Sequence, residues 1–598
     1  MPENRNSMPA QEEIVNLDRP AKPPKRDLKL QKPAEGSLKL LRLLISYGVF
    51  VAAVGIVIYY ITVAAKGEFH SDCCDTLFWA NASHRSGKIL SGSFHYACLL
   101  PFGGNLIMQP LIAVFGLSMK AHVIGMVIFF VLFALFLGLM LHESGFSLPQ
   151  IFLSEAFILG MTLGSSKLRE IFWGHIIYYS LGLIFLLMGA FLLMHAAKLF
   201  EKRRALMDGG RSGTVLIIRT AVTGALLLAL MLFSSTDGIS AMSIFTLPFL
   251  AAILLVHLTN GKNRIFSKST GTVLGVLVIL CVAVLGGIAL GRHWAGDITA
   301  GYETAYSEYS SIYEWREHLL SLPHSWITLF GVKDMAHLPL ASFDDKALLT
   351  ESVKNLIRLI AAILLAVLPI IASVFYTKYP KDAAGKALRL WVWIHWAVSA
   401  IIMIGCVCGS LSGANWRLSP MAGTAVILTA MFLRWYLTRR NENGMRIVNT
   451  RIPALLAIPA VIAALFNFSD VAKMPKDSYT SNNNYAIEEY LEAKGLTYGF
   501  ATFWNAGPVT VISDNTIRVR NVNVNEDGTV TPYQYQSEDE WFIPQPDQDT
   551  YFLLLDSSEY DRLIAAGNSL IREYKTAEAF PLPDGAYMYL FTYDHFIF

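Results

Sequence analysis

Charge is scarce in this sequence, and what there is nearly cancels: 16% of residues are Asp, Glu, Lys or Arg, and the net charge is +2. No global basic field draws nucleic acid, and no stretch rich in Arg and aromatics offers it a binding surface. Cysteine is scarce too. Cys73, Cys74, Cys98, Cys281, Cys406 and Cys408 show neither CxxC nor Cys/His zinc spacing, and Cys406 and Cys408 close an apolar run. They read as buried thiols and not as a metal centre; a bridge from Cys73 or Cys74 to Cys98 stays open. No Walker A, HExxH or GxSxG pattern stands in its fold context, so ATPase, zincin and hydrolase readings lose their support. Internal repeats are lacking as well, which weighs against a transporter.

Apolar residues make up 54% of the chain, and the mean hydropathy is +0.44. A soluble protein of this size is nearer half apolar; this is a polytopic membrane protein. Residues 1–41 are polar, proline-containing and basic, and read as a disordered tail. The run 42–65 is too long and too far from the start for a signal peptide, so it is an uncleaved first helix. Further spans read as 119–141, 150–164, 172–197, 214–233, 240–257, 272–291, 353–376, 390–408, 420–437 and 452–468, eleven in all. The apolar segment 105–117 competes for a place among them. If it only lies on the surface, the four most basic loops, 198–211, 262–268, 378–389 and 439–451, fall on one side. The positive-inside bias makes that side cytoplasmic, with the N-terminus.

This topology exports loops 66–118, 165–172, 292–352 and 409–420, and with them residues 470–598. The last segment changes character, with an amphipathic YAIEEYLEAKG and alternating runs YGFATFW, TIRVRNVNV and TYFLLLD. It reads as an extracytoplasmic α/β domain. The loop 292–352 interleaves aromatics with acids and histidines, among them His293 and Trp294, and is long enough to be a lid or binding loop without secondary structure of its own.

The first outer loop carries Asp72 and Asp75, three residues apart and so on one face of a helix. Apolar groups such as Leu77, Phe78, Trp79, Leu106, Ile107 and Leu111 suit a loop lying on the membrane. The short turn 165–172 and its flank crowd Lys167, Arg169, Glu170 and His175 at a membrane mouth. Ionisable groups at that depth are costly and tend to be functional, although at a helix end they also snorkel. Arg417, in CGSLSGANWRLSP, suits a phosphate clamp because its guanidinium is always charged and binds phosphate oxygens in pairs; the plainer reading is an interfacial arginine meeting headgroups.

These residues carry a resemblance to the GT-C superfamily of membrane glycosyltransferases, in its protein-mannosyltransferase and aminoarabinose-transferase branch. There an Asp-Glu pair opens the first outer loop, with Ala eight and Gly fifteen residues on; Asp72, Ala80 and Gly87 keep that spacing, with Cys73 where the Glu stands. Gln109, Pro110, Leu111 and Phe115-Gly116 are similar to a later Pro-Pro-Leu and Phe-Gly of the branch. Arg417 and Pro420 keep the spacing of its Arg-Tyr-x-x-Pro, with Leu418 for Tyr. Glu170 lies in the turn where several such enzymes hold a second acid.

The resemblance implies a polytopic helical fold and transfer of a sugar from a polyprenyl-phosphate donor to a glycan, lipid or protein acceptor at the outer face of a bacterial plasma membrane. It puts Asp72, Asp75 and Glu170 in catalytic roles and Arg417, Lys167, Arg169 and His175 on the substrate. No organic cofactor is implied, and a divalent metal is left open. The rival readings are a transporter or flippase, a polymerase or ligase of lipid-linked glycans, and a non-catalytic anchor for the C-terminal domain.

Overall fold

In a membrane a single apolar run satisfies its own backbone by coiling into a helix, and in the computed structural model most of the described residues of every run named above are helical. It describes residues 35–175, 178–208, 213–259, 267–301, 309–333, 346–411, 413–439 and 451–598. Among the described residues eight helical segments are long and apolar enough to cross a membrane. A ninth is reached if the pair Leu148–Thr162 and Ser166–Gly174, bent by 119°, counts as one. The expected eleven differ from this for two reasons. Segment 452–468 sits in a shorter apolar helix, and 214–233 and 240–257 form one passing segment, Thr214–Leu258, broken near Asp237. Large apolar side chains point outward along Lys268–Ala295, including Val278, Val282 and Leu285, each more than 60% exposed. Such a face suits lipid and not water.

The first helix, α1 (Glu35–Thr62), starts inside what reads as the tail, so residues 35–41 are helical; the rest of that tail lies outside the described residues. The first loop then folds as a turn, Ser71–Cys74, and two helices, α2 (Asp75–Ser86) and α3 (Gly103–Phe115). At 13 residues α3 is too short to span a bilayer. Its first amides are capped from a distance: the Asp237 carboxylate accepts from Phe102 N at 2.9 Å and from Gly103 N at 3.0 Å. After it come α4 (Met119–Glu143), capped by the Ser118 hydroxyl, and α5 (Leu148–Thr162). The loop 292–352, expected to lack secondary structure, contains the helix Trp315–Leu329, while His293 and Trp294 end the preceding helix.

The C-terminal residues build a six-stranded sheet in the order β4-β3-β2-β6-β8-β7. Its strands are β2 (Tyr498–Thr502), β3 (Arg518–Val524), β4 (Val530–Pro532), β6 (Tyr551–Asp556), β7 (Thr576–Pro581) and β8 (Tyr587–Tyr593). In the parallel centre, β3, β2 and β6, the strands β2 and β6 are buried and apolar, as parallel strands covered on both faces are, while β3 alternates valines with polar residues and buries Arg520 and Asn521. Gly499 on β2 is there because a Cβ would come within 2.3 Å of the buried Phe552 ring on β6. Gly499→Ala is therefore expected to destabilise this unit by about 1–3 kcal/mol through overpacking, read as a lowered thermal unfolding midpoint of the purified protein.

This unit is bound to the first loop by polar contacts that reach across the sequence. The two-residue strands β1 (Phe94–His95) and β5 (Ser537–Glu538) pair antiparallel. Arg85 bonds Glu538 at 2.5 Å and Glu540 at 2.8 Å, and the Asn482 amide donates to the carbonyls of Lys66 and Phe69 at 2.9 Å each. The Ser71 hydroxyl donates to the Phe503 carbonyl at 2.6 Å. The first loop and the C-terminal unit thus share one end of the bundle.

Candidate functional site

The site grows from the junction of the 71–74 turn and α2. Asp72 lies in the turn, Asp75 is the first helical residue, and both are half-buried. Two features of the sequence pattern have local causes. Gly87 ends α2 at φ 67°, a left-handed cap that favours glycine, and Ala80 is wholly buried in the helix.

The bent segment after α5 brings its ionisable groups against this turn. His175, 3% exposed, donates from Nδ1 to the Asp72 carbonyl at 3.0 Å. A carbonyl only accepts, so this contact fixes the ring tautomer and turns Nε2 inward, beside the Cys73 thiol. Glu170 is bound by Lys167 Nζ at 2.6 Å and faces His70 Nε2 at 3.3 Å. Arg169 makes a two-pronged contact with Glu68, which also accepts from the Tyr60 hydroxyl at 2.6 Å.

The electrostatics separate these groups. Burial alone would push the Cys73 thiol up, but His70 and His175 beside it bring it down to about 6. Burial opposes a charge on His70, yet Cys73 and Glu170 outweigh it and raise the ring to about 11. Asp75 is held well above the usual carboxylate range, first by burial and then by Asp72 and Cys73, with His70 and Gln536 pulling the other way. From the C-terminal unit, Tyr535 faces the same carboxyls. Burial raises its hydroxyl above the ordinary tyrosine value, with Asp75, Cys98 and Asp72 adding to the effect.

Arg417 stands at the rim of a separate space. It lies in the turn Asn415–Leu418, is 5% exposed, and donates from Nη1 to the hydroxyls of Tyr178, at 2.7 Å, and Tyr179. Its neighbour Trp416 carries the Lys167 ammonium 4.9 Å over its ring, which links this turn to Glu170. Tyr178 and Tyr179 also line a cavity of about 870 Å³, with Cys98, Asp237 and an otherwise mostly apolar wall that includes Ile244 and Ile402. That volume is in the range of small-molecule and cofactor sites.

The seven residues singled out in the sequence therefore fall into one ionic cluster, Asp72, Asp75, Lys167, Arg169, Glu170 and His175, and one neighbour, Arg417, joined through Trp416. Arg169 is committed to Glu68, and Lys167 to Glu170. Sequence reasoning missed His70, Glu68, Tyr60, the tyrosine pair and Gln536. His70 and Glu68 had a signal in their closeness to Asp72; Gln536 had none. The six cysteines are all free, so the bridge to Cys98 is not formed: Cys73 packs beside the histidines while Cys98 lines the cavity. Among the described residues no group of three or more His, Cys, Asp or Glu could hold a metal ion. That donor set does not fit one.

No protein-family model matches the chain, and no curated protein matches it. Among the solved structures it is similar to are, with 12% identity over 93% of this chain and 74% of the other and a TM-score of 0.44, the Archaeoglobus fulgidus oligosaccharyltransferase tethered with an acceptor peptide containing the NVT sequon, and, with 10% identity over 93% and 98% and a TM-score of 0.49, ArnT from Cupriavidus metallidurans bound to undecaprenyl phosphate.

Proposed function

We propose that the chain is a membrane glycosyltransferase that moves a sugar from a polyprenyl-phosphate donor to an acceptor hydroxyl on the outer face of the membrane. The observation that carries this reading is that half-buried Asp72 and Asp75 lie near a separate large apolar-walled cavity, linked to it through Tyr535 and Cys98, whose rim tyrosines hold Arg417. A carboxylate to take a proton, a guanidinium for a phosphate and an apolar space for an isoprenoid are the parts this chemistry needs. The resemblance at Asp72, Ala80, Gly87, Arg417 and Pro420 supports it.

In this reading Asp72 removes the acceptor hydroxyl's proton as the oxygen attacks the anomeric carbon. The bond from that carbon to the phosphate oxygen breaks, the electron pair leaves with the polyprenyl phosphate, and the anomeric centre inverts. The donor already carries a good leaving group, so one base suffices. Arg417 stabilises the growing phosphate charge. Glu170 acts through Lys167 and His70, and Arg169 through Glu68. His175 holds the Asp72 backbone in place.

The test is to supply membranes containing the chain with a labelled polyprenyl-phosphate sugar and follow transfer. An Asp72-dependent glycosylated product supports the reading. Translocation of intact donor without a new glycosidic bond would make the chain a flippase, and neither would leave it an anchor.

The side of the membrane has its own expected result. A cysteine in place of Asp527, exposed on the C-terminal unit, is expected to react with an impermeant thiol reagent on intact cells, while one in place of Lys202 is protected. The reverse pattern would turn the site to the cytoplasm.

A further inference from the structure

Asp75 has a partner that comes from the far end of the chain. Gln536, just before β5, is 4% exposed, and its backbone sits at φ 54°, a left-handed conformation that a glutamine rarely adopts. Its amide N–H bonds the His95 carbonyl at 2.7 Å, and the β1–β5 pairing continues from there. This backbone turn drives the side chain into the first loop, along the face of α2 that carries Asp75 and Trp79, four residues apart.

The orientation of the side-chain amide is set by chemistry. The Trp79 indole Nε1–H donates to Gln536 Oε1. An indole N–H can only donate, so the oxygen must face it and the NH2 must face away. On that side is Asp75, whose proton affinity Gln536 lowers. Gln536 Nε2 is buried with no partner at full hydrogen-bond geometry. A buried donor left in that condition is costly, and near a reacting group such contacts tighten when the site closes.

We propose that Gln536 is a positioning residue of the site: a Trp79–Gln536–Asp75 chain ties the second acid to the C-terminal unit, which is thereby part of the site and not an appendage to it. Calling that site catalytic rests on the transferase reading; the Trp79–Gln536 bond and the buried, unpartnered Nε2 are geometric, and the step to Asp75 rests on the α2 face it shares with Trp79 and on the effect of Gln536 on its carboxyl. Its consequence is a division of labour. The groups facing Asp75 are Asp72, Cys73, Cys74 and His70 from its own segment and Tyr535 from the C-terminal unit, while α3 and the helix Phe503–Ile512, which pack on this segment, bring no titratable group. Most of these neighbours oppose a charge on Asp75. Gln536 offers it a neutral donor, so the carboxyl is oriented without being made as acidic as a cation would make it, and Asp72 is left as the acid free to meet the acceptor.

The experiment follows Asp75 directly. Difference infrared spectroscopy of the purified protein in lipid nanodiscs, with the carboxyl band assigned by its loss in Asp75→Asn, gives its titration. Gln536→Leu removes the donor and is expected to move that titration upward by about one to two pH units, the size of a hydrogen bond to a charged group. Gln536→Glu keeps the shape and the acceptor for Trp79 but sets a second carboxylate against Asp75. It should move the titration up further, and it carries the test if the leucine variant fails to fold. Trp79→Phe frees the amide to flip and should give a smaller shift of the same sign. An unmoved Asp75 titration in a folded Gln536 variant overturns the proposal. In a transfer assay with labelled polyprenyl-phosphate sugar, the high-pH inflection of the kcat profile that follows Asp75 should move with the titration, while the acid limb stays in place. If the titration moves but the unmodified chain transfers no sugar, the chain of contacts stands and the transferase reading falls; if transfer is robust and the titration static, the reverse holds.

Discussion

Asp72→Asn is expected to leave the protein folded and able to bind donor while lowering turnover roughly 10²–10⁴-fold, the range for losing a general base. Shape and most hydrogen bonding survive the change, and the His175 contact is to the Asp72 carbonyl, which the substitution keeps. Asp75→Asn should cost less. Its carboxyl holds its proton more tightly than an ordinary aspartate because it is buried beside Asp72 and Cys73, and a group that is reluctant to ionise is a poor proton acceptor. Over the acid limb Asp75 is uncharged, as asparagine is, so Asp75→Asn is expected to leave the acid limb of kcat in place and to alter the profile only at higher pH, where Asp75 itself would ionise. The measurement is turnover across pH for purified variants at matched expression, with donor binding determined separately. A dead Asp75→Asn beside a normal Asp72→Asn would exchange the two roles, and full transfer by both would remove catalysis from this loop.

How much of this was legible depends on whether the cause was local. Apolar runs of membrane length became helices because a single run satisfies its own backbone there by coiling, and the 13-residue α3 showed its shortness in the sequence. The runs after residue 497 became β2, β3 and β6, but only β3, RVRNVNV, has period-two patterning; β2 and β6 are short continuous apolar runs buried on both faces. The helix Trp315–Leu329 was hidden by its polar composition and by Pro323 inside it. Span counting went astray where length and apolarity part company, as at the break near Asp237, where a buried carboxylate caps α3 from 134 residues away.

The site divides in the same way. Asp72, Asp75, Lys167, Arg169, Glu170 and His175 were singled out because each falls at the end of an apolar run, a matter of position along the chain. Their pairings were not, since Arg169 with Glu68 spans 101 residues and Trp79 with Gln536 spans 457. Gly87 illustrates the opposite error of emphasis: its place in the family spacing drew notice, while its left-handed φ supplies a structural reason for glycine that needs no catalysis.

Arg417→Ala is expected to lower transfer roughly 10²–10³-fold, as when a preorganised donor to a developing anion is removed, and Arg417→Lys should recover little of it. Both charges are positive, but lysine is a point donor on a flexible stem and cannot reproduce a planar two-pronged contact. The structure adds a reason. Nη1 is already engaged by the two tyrosine hydroxyls, which bond one another at 2.8 Å while their rings lie tilted by 41° with 4.2 Å between centroids. A guanidinium has five N–H donors to divide between that anchor and a phosphate, an ammonium three. Tyr179→Phe, which removes one hydroxyl of the anchor, should therefore weaken donor binding more than it slows a bound donor, whereas Arg417→Lys should do both. The comparison needs donor affinity and single-turnover transfer measured on the same preparations, with matched thermal midpoints to set aside unfolding. Unchanged donor affinity and full transfer in Arg417→Lys would make Arg417 a structural brace for the tyrosine pair, and the phosphate would then have to be sought elsewhere along the cavity rim.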